Sequence, residues 1–417
     1  MQKLEVFGAN KLKGQIKISG SKNASLPILA ATILSNKRII IKNLPKVRDI
    51  KTMIVLLQSL GSKVKFSRNQ VSINNHSQKK RFASYNLVKT MRAGILVLGP
   101  LLAKHKSAKV SLPGGCAIGT RPVDIHLKAL SKLGVKYKIN QGYVIANAPK
   151  GLRGNTIKFP KISVGATENL IIAASFAKGT TILSNCAIEP EINDLVNFLN
   201  EMGCNITWTN KRTIKIIGVN ETKEISYSVM FDRIEAGTYL IAAAVTKGNL
   251  KIKNIIPKII KTEIEVLKKL GSKIIIKKNE VEIFGSKKTK CINIKTSPYP
   301  GFPTDLQAQI MVLLCKANKS SIVQEDIFEN RFMHVAELNR MGAKIQINGN
   351  KAILKGNINF APAELMATDL RASVSLILAA LTAKGKSVIN RIYHLDRGYE
   401  NIEKKLKKVG AKIKRIN

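Results

Sequence analysis

The chain has 417 residues, 45% of them hydrophobic, and carries 70 Lys and Arg residues against 26 Asp and Glu residues. This length fits two domains of ordinary size. No run of about 18 uncharged apolar residues occurs, which excludes a transmembrane helix, and the N-terminal segment lacks the apolar stretch of a secretory signal. We therefore expect a cytoplasmic protein with no membrane partner.

The cysteine and histidine residues give no sign of a metal site or a disulfide framework. Five residues of each type are scattered along the chain, without a CxxC pair or an HExxH motif. Zinc ligands and disulfide frameworks show characteristic close spacings that are missing here. We expect no metal and no cofactor.

The net charge of +44 has two interpretations. A basic protein can bind nucleic acid by releasing the counterions of the phosphate backbone. However, 55 Lys residues outnumber 15 Arg residues and are spread along the whole chain, and aromatic residues make up only 5%. Nucleic-acid sites usually gather Arg and aromatic residues on one element. Compositional drift towards Lys explains the charge better, so we expect no specific nucleic-acid partner.

One pattern recurs six times along the chain: an amphipathic helix, a glycine and a short strand. The first and last copies read VLLQSLGSKVKF and KKLKKVGAKIKR. Each glycine stands where a helix end favours a left-handed residue. The glycines are 68 to 73 residues apart: Gly61, Gly134, Gly203, Gly271, Gly342 and Gly410.

A second helix precedes each copy and is rich in small and apolar residues on nearly all sides, which is typical of a buried helix. The first and last of these read KNASLPILAATIL and DLRASVSLILAALTA. A β-rich segment connects the two helices, and a strand hairpin follows the second. The pattern predicts an α/β fold built from six repeats.

Six repeats divide naturally into three plus three. The sixth repeat stops without its second hairpin strand, and the N-terminal segments KLEVFG and GQIKISG supply a pattern of that kind. We expect a first domain of residues 21–230 and a second domain of residues 1–20 and 231–417. Two chain crossings would then make a hinge, with a ligand cleft between the domains.

Charged and polar residues cluster at the starts of the buried helices. A cation there opposes the positive end of the helix dipole, so Lys22, Arg92 and Arg371 favour sites for anions. Asp, Ser and Thr residues at these positions are explained by helix capping. Capping is expected of Thr304, Asp305 and Asp369.

The segment SLPGGCAIGTRPVD, residues 111–124, has the glycines and prolines of a mobile loop. A lone cysteine is most often a small buried hydrophobic residue, but this loop gives Cys116 no apolar packing. Nearby cations would lower the pKa of its thiol. We therefore interpret Cys116 as a reactive residue.

Three arginines, Arg331, Arg391 and Arg397, lie in the corresponding turn regions of the fifth and sixth repeats. Arginine binds phosphate and carboxylate groups through paired hydrogen bonds. Salt bridges to acidic neighbours such as Asp396 and Glu400 are the alternative, above all for Arg391.

Several segments resemble the signature segments of the UDP-N-acetylglucosamine 1-carboxyvinyltransferases, a family of enolpyruvyl transferases. They are SGSKNASLP, KTMRAG, LPGGCAIGTRPVD, SVGAT, EPEI, PTDLQAQ, IFENRFMH, MATDLRAS and RIYHLDRGYE. The resemblance covers nearly the whole chain without a large insertion. It implies a two-domain inside-out α/β barrel with six βαβαββ repeats, three in each domain.

The resemblance also implies an activity and a set of site residues. The activity is transfer of the enolpyruvyl group of phosphoenolpyruvate to the 3-hydroxyl of UDP-N-acetylglucosamine, the first committed step of peptidoglycan synthesis. Cys116 is similar to the general acid of the family, and Asp305 to the carboxylate beside the sugar hydroxyl. The implied contacts to phosphoenolpyruvate are Lys22, Asn23, Arg121, Asp369, Arg371 and Arg397. The implied contacts to the nucleotide sugar are Arg92, Arg121, Pro122, Val123, Asp124, Ile125, Lys161, Ser163, Val164, Asp305 and Ile327.

Two other functions stay open at this point. A 3-phosphoshikimate 1-carboxyvinyltransferase would share the fold and the phosphoenolpyruvate chemistry, but that family lacks the PGGCAIGTRPVD loop. A basic nucleic-acid-binding protein on the same fold would have no need of Lys22, Cys116, Asp305 and Arg397. The sequence does not predict an oligomeric state.

Overall fold

The computed structural model describes residues 2–67, 69–114 and 123–416. Within these ranges the chain forms two compact units. The first unit comprises residues 20–67, 69–114 and 123–230, and the second unit comprises residues 2–19 and 231–416. No helix in the described ranges is long and apolar enough to span a membrane.

The strands are short and occur throughout the chain. In chain order they are β1 (Lys3–Phe7), β2 (Lys13–Lys17), β3 (Ile39–Lys42), β4 (Lys63–Ser67), β5 (Gln70–Asn74), β6 (Phe82–Ala83), β7 (Ser107–Ser111), β8 (Lys136–Asn140), β9 (Tyr143–Asn147), β10 (Thr156–Lys158), β11 (Thr180–Ser184), β12 (Asn205–Asn210), β13 (Thr213–Ile217), β14 (Ile225–Ser228), β15 (Asn249–Lys253), β16 (Lys273–Lys277), β17 (Glu280–Phe284), β18 (Ile294–Lys295), β19 (Ser321–Gln324), β20 (Ile345–Asn348), β21 (Lys351–Leu354), β22 (Glu364–Met366), β23 (Lys386–Asn390) and β24 (Lys412–Ile416).

The helices alternate with these strands. The α-helices are α1 (Lys22–Ala31), α2 (Arg48–Ser59), α3 (Tyr85–Val88), α4 (Leu98–His105), α5 (Asp124–Lys132), α6 (Val164–Ala174), α7 (Pro190–Glu201), α8 (Arg233–Val245), α9 (Lys261–Lys269), α10 (Gln307–Cys315), α11 (Val335–Arg340), α12 (Leu370–Ala380) and α13 (Ile402–Lys408). Short 3₁₀ helices cover Thr32–Leu34, Arg92–Val97, Pro257–Ile260, Thr304–Leu306 and Ile392–Arg397.

The described strands form six four-stranded sheets of one design. The first unit contains the strand orders β14-β3-β5-β4, β6-β7-β9-β8 and β10-β11-β13-β12, and the second contains β2-β15-β17-β16, β18-β19-β21-β20 and β22-β23-β1-β24. Each order begins with a parallel pair and continues with two antiparallel pairs. The six sheets therefore correspond to the six repeats seen in the sequence.

One nearly apolar helix of each repeat is buried. These helices are α1, α4, α6, α8, α10 and α12; every residue of α8 and α10 is buried. The sheets keep one face in solvent, and β8 is exposed along its whole length. Within each unit these nearly apolar helices therefore lie inside, and the sheets and the amphipathic helices lie outside, because a helix that is apolar all round is stable only when it is buried.

The six repeat glycines all have positive φ angles, between 90° and 104°. Each follows the end of a surface helix, at the position where a left-handed residue closes the last turn. The prediction for these glycines is confirmed.

The first two strands of the chain pair with strands from its C-terminal half. β1 lies between β23 and β24 and is antiparallel to both, and β2 runs parallel to β15. The sheet of the sixth repeat thus takes its missing strand from the N-terminus.

Candidate active site

In the first unit, Lys22 is the first residue of α1. The side chain of its N-cap, Ser21, accepts a hydrogen bond from the Ala24 N–H at 3.2 Å. Lys22 Nζ lies 3.7 Å from Asp49 Oδ2, and the two side chains are only 12% and 5% exposed. The carboxylate holds the ammonium group at the positive end of the helix, where Coulomb repulsion from the dipole would otherwise disfavour it. Asn23 follows and is half-buried.

Three further helix starts carry the sugar-nucleotide contacts that the resemblance implies for this unit. Arg92 begins a 3₁₀ helix, Val123, Asp124 and Ile125 surround the start of α5, and Ser163 and Val164 begin α6, with Lys161 exposed just before them. Both α5 and the 3₁₀ helix pack against α6. The structure therefore brings these segments together.

His126 lies where the three segments meet. It is buried in α5, and its Nδ1 lies 3.2 Å from the side-chain nitrogen of Asn169 in α6. Burial and, to a lesser extent, the nearby charge of Arg92 lower the pKa of His126 to about 4, against the opposing effect of Asp124. The imidazole is therefore neutral near pH 7.

In the second unit, Asp305 lies between two buried guanidinium groups. Its Oδ1 accepts a short hydrogen bond from Arg331 Nη2, and its Oδ2 accepts one from Arg371 Nη2 at 2.6 Å. Burial acts to lower the pKa of Arg371, but the charge and hydrogen bond of Asp305, together with Tyr399 and Asp232, outweigh it, and the pKa is raised. Asp305 itself keeps 25% of its side chain exposed, so the carboxylate is fixed in orientation and still accessible.

A buried polar network lies on the other side of Arg371. Arg371 Nη1 donates to the Tyr399 hydroxyl at 3.2 Å, and that hydroxyl lies 2.8 Å from Thr238 Oγ1. Gln309 Nε2 donates to the Tyr399 hydroxyl at 3.3 Å and to the Asp305 carbonyl oxygen at 3.0 Å. These bonds fix the position of Arg371, and through it the position of Asp305.

The capping predictions for this unit are correct in one case and wrong in two. Asp369 caps α12 by accepting from the N–H groups of Arg371 and Ala372 at 2.7 and 3.1 Å. Asp305 instead binds the two arginines, and the Thr304 hydroxyl donates to Glu325 at 2.9 Å. A charged partner offers a carboxylate a stronger hydrogen bond than a backbone N–H does.

Glu325 and Tyr399 are structural members of this cluster that the sequence analysis missed. Glu325 Oε1 accepts from the Ile327 and Phe328 N–H groups at 2.9 and 3.1 Å, and thereby ties the Ile327 loop to Thr304. Arg331 was noted only as one arginine among three. No local pattern marks these residues, because their partners are distant in sequence.

Arg397 ends the 3₁₀ helix Ile392–Arg397 and is half-buried, two residues before Tyr399. Asp396, one of the acids named as alternative partners for these arginines, accepts two hydrogen bonds from Arg415 at 2.9 and 2.7 Å. Cys116, Arg121 and Pro122 lie outside the described residues.

The comparisons with known proteins agree with this architecture. Residues 6–406 match the model of the EPSP synthase (3-phosphoshikimate 1-carboxyvinyltransferase) family. Among solved structures, the enolpyruvyl transferase NikO from Streptomyces tendae has a TM-score of 0.90 at 22% identity, covering 99% of this chain and 98% of that one. EPSP synthase from Acinetobacter baumannii has a TM-score of 0.79 at 17% identity over the whole of both chains. The predicted fold class is confirmed, and it is that of the enolpyruvyl transferases.

Relatives with higher sequence identity indicate which enolpyruvyl transferase family is meant. This chain is 79% identical to UDP-N-acetylglucosamine 1-carboxyvinyltransferase of Pelagibacter ubique (strain HTCC1062), over 100% of both chains. It is 52% identical to the protein of that name from Geobacter metallireducens, again over 100% of both, and 50% identical to that from Helicobacter pylori (strain HPAG1), over 100% of this chain and 99% of the relative. The chain belongs to the UDP-N-acetylglucosamine 1-carboxyvinyltransferase family.

Proposed function

We propose that this protein transfers the enolpyruvyl group of phosphoenolpyruvate to the 3-hydroxyl of UDP-N-acetylglucosamine and releases phosphate. The observation that carries the proposal is the 79% identity to a relative of that name over the full length of both chains. We place the reaction in the cytoplasm, as the first committed step of peptidoglycan synthesis.

Asp305 is the proposed base. The sugar hydroxyl is a weak nucleophile and must lose its proton as it attacks. The two hydrogen bonds from Arg331 and Arg371 hold the carboxylate in a fixed orientation. Its partly exposed side chain leaves room for a hydroxyl group to approach.

Cys116 is the proposed acid, and the reaction is then balanced. The sugar oxygen bonds to the central carbon of phosphoenolpyruvate while a proton is added to its methylene carbon, giving a tetrahedral ketal. In the second step the thiolate of Cys116 takes back a methyl proton, and the bond between the central carbon and the phosphate oxygen breaks, which restores the double bond. The departing phosphate takes the proton that Asp305 removed from the sugar. Lys22, Arg121 and Arg397 are proposed to stabilise the charge of the phosphate and the carboxylate.

The remaining site residues are proposed to hold the substrates. Asn23, Asp369 and Arg371 would complete the phosphoenolpyruvate site. The nucleotide sugar would be held by Arg92, Arg121, Pro122, Val123, Asp124, Ile125, Lys161, Ser163, Val164, Asp305 and Ile327. Neither unit carries all of these residues.

Isotope labelling tests this mechanism directly. Phosphoenolpyruvate labelled with ¹⁸O at the oxygen between carbon and phosphorus should yield ¹⁸O-labelled phosphate, and the product should gain deuterium at its methylene group in D₂O. Phosphate without the label would mean that the phosphorus–oxygen bond breaks, and the addition–elimination proposal would then be wrong. An Asp305→Ala variant is the control for background hydrolysis.

A further inference from the structure

Asn169 is a wholly buried residue of α6 whose side-chain amide has a fixed orientation. Its Oδ1 accepts a hydrogen bond from the Gly99 N–H at 2.9 Å, and its Nδ2 donates to the Ile95 carbonyl oxygen at 3.2 Å. A backbone N–H can only donate and a carbonyl oxygen can only accept. The two backbone groups therefore determine which end of the amide is nitrogen.

This orientation also determines the tautomer of His126. The same Nδ2 lies 3.2 Å from His126 Nδ1. Since Nδ2 is a donor, Nδ1 must accept, and the single proton of the neutral ring lies on Nε2. Burial favours the neutral ring, because it lowers the pKa of His126 to about 4.

The Nε2 edge of the ring faces the first turn of α6. A Cβ atom added to Gly165 would lie 3.2 Å from His126 Cε1 and 3.4 Å from Nε2. Gly165 follows Ser163 and Val164, and His126 follows Asp124 and Ile125. The glycine thus lets the ring approach closely at the point where two segments of the proposed nucleotide-sugar site meet.

We infer that Asn169 is a positioning residue of this site: it holds His126 as the neutral Nε2–H tautomer, so that His126 offers one hydrogen-bond donor to an oxygen of the nucleotide sugar. The inference rests on the proposed function for the identity of the ligand. A neutral donor binds a phosphate or carbonyl oxygen without burying a further charge.

Gly165→Ala is the first test, because it acts on the ring and not on the fold. Alanine in a helix is up to about 1 kcal/mol more favourable than glycine, which offsets part of the cost of moving the ring, so the variant should stay folded, as its melting temperature would verify. The added methyl group should displace the ring and weaken binding of UDP-N-acetylglucosamine about tenfold by calorimetry, with the KM for phosphoenolpyruvate unchanged. Unchanged nucleotide-sugar affinity would overturn the inference.

Imidazole ¹⁵N NMR of histidine-labelled protein is the second test and needs no activity. At pH 7 the His126 signals, identified by their loss in His126→Gln, should be those of the Nε2–H tautomer. Asn169→Asp should move the proton to Nδ1 and weaken nucleotide-sugar binding. A wild-type ring protonated at Nδ1 would contradict the inference even if the proposed reaction is observed.

His105→Gln is the matched control. His105 lies in the same unit, its Nε2 is 2.6 Å from Gln78 Oε1, and burial lowers its pKa to about 4 as well. Loss of this histidine should leave the affinity for UDP-N-acetylglucosamine unchanged. If His105→Gln weakens binding as much as Asn169→Asp does, the effect is structural and the inference fails. If NMR shows the Nε2–H tautomer but the protein does not bind UDP-N-acetylglucosamine, the proposed function is wrong and the tautomer assignment stands.

Discussion

Asp305 and its two arginines form an ion cluster that is exposed on one side only. Removing one partner from a buried ion pair costs about 3 to 5 kcal/mol, because the remaining charge loses its compensation. Here the carboxylate is a quarter exposed, so the cost should lie at the lower end of that range. The cluster therefore contributes to stability as well as to the proposed chemistry.

Asp305→Asn should lower both activity and stability. The amide cannot take the sugar proton, so kcat should fall at least about a hundredfold, and Arg331 and Arg371 lose their counter-charge, so the protein should unfold at lower denaturant concentration. Asp326→Asn, at an exposed acid paired with Lys295, is the control and should leave kcat unchanged. A fully active Asp305→Asn enzyme would exclude the role as base.

Cys116 gives a prediction that rests on sequence alone. A free thiol has a pKa of about 8.5, and a serine hydroxyl is a far weaker acid. Cys116→Ser should reduce turnover at least about a hundredfold and leave nucleotide-sugar binding intact. Cys116→Asp should stay active with an optimum shifted towards acid, because an ordinary aspartate has a pKa of about 3.9.

The same two variants separate a chemical role from a structural one. Because the loop is expected to present its thiol, an electrophilic epoxide such as fosfomycin should inactivate the wild type and not the Asp variant. A structural role predicts the reverse pattern of activity, with Ser tolerated and Asp not. Full activity of Cys116→Ser would refute the acid role.

At the residue scale, the sequence was a better guide to which side chains belong to the candidate site than to the residues with which they form ion pairs. Lys22 and Arg371 were correctly singled out as cations at helix starts. However, Arg371 is paired with Asp305, 66 positions away, and Lys22 with Asp49. A local sequence pattern shows which residues can cap a helix, but it does not show which distant residues come close in the fold. For that reason the local pattern led us to expect a capping role for Asp305.

At the scale of single elements, the recurring glycine was sufficient to locate the end of the amphipathic helix in each repeat, because backbone geometry at a helix end is a local property. Helix starts were less predictable. The segments beginning at Arg92 and Thr304 were expected to be continuous helices, but each opens as a 3₁₀ helix before α4 or α10. Hydrophobic patterning does not distinguish these two helix types over one turn.

Helix α7 carries an acid that makes stability depend on pH. Asp194 Oδ1 accepts from the Tyr227 hydroxyl at 2.7 Å, and its Oδ2 accepts from the Met230 N–H at 3.1 Å. Burial raises the pKa of Asp194 to about 6, although both hydrogen bonds act to lower it. Between pH 4 and pH 6 the folded protein therefore holds a proton that the unfolded chain has lost.

This proton makes the free energy of unfolding fall as pH rises through that window, by at most about 3 kcal/mol. Asp194→Asn should remove this dependence, which chemical denaturation at pH 4, 5, 6 and 7 would measure. Asp326→Asn serves as the control. A hydrogen bond from Lys295 lowers the pKa of Asp326, so this carboxyl makes the free energy of unfolding change with pH in the opposite direction. An unaltered pH profile in Asp194→Asn would show that this carboxyl is charged throughout.

At the scale of the whole molecule, the sequence predicted the repeats because each repeat carries its own local signals. The completion of the sixth repeat by β1 was also predictable, since the missing strand could be counted. The individual contacts between repeats could not be predicted, because small apolar residues such as those of α6 can pack against many different neighbours.

The net charge of +44 leads to a separate prediction. If it reflects drift, nucleic acid should bind weakly and without sequence preference, and affinity should fall steeply between about 50 and 200 mM salt. Fluorescence anisotropy with two oligonucleotides of unrelated sequence would measure this. Tight binding to one of them at about 0.15 M salt would instead support a role in nucleic-acid recognition.

The choice of acceptor tests the central claim most directly. Purified protein is mixed with phosphoenolpyruvate and either UDP-N-acetylglucosamine or shikimate 3-phosphate, and released phosphate is measured, with Asp305→Asn as the control for contaminating activity. We predict phosphate release that requires UDP-N-acetylglucosamine and is absent with shikimate 3-phosphate. Release with shikimate 3-phosphate and none with the nucleotide sugar would contradict the account.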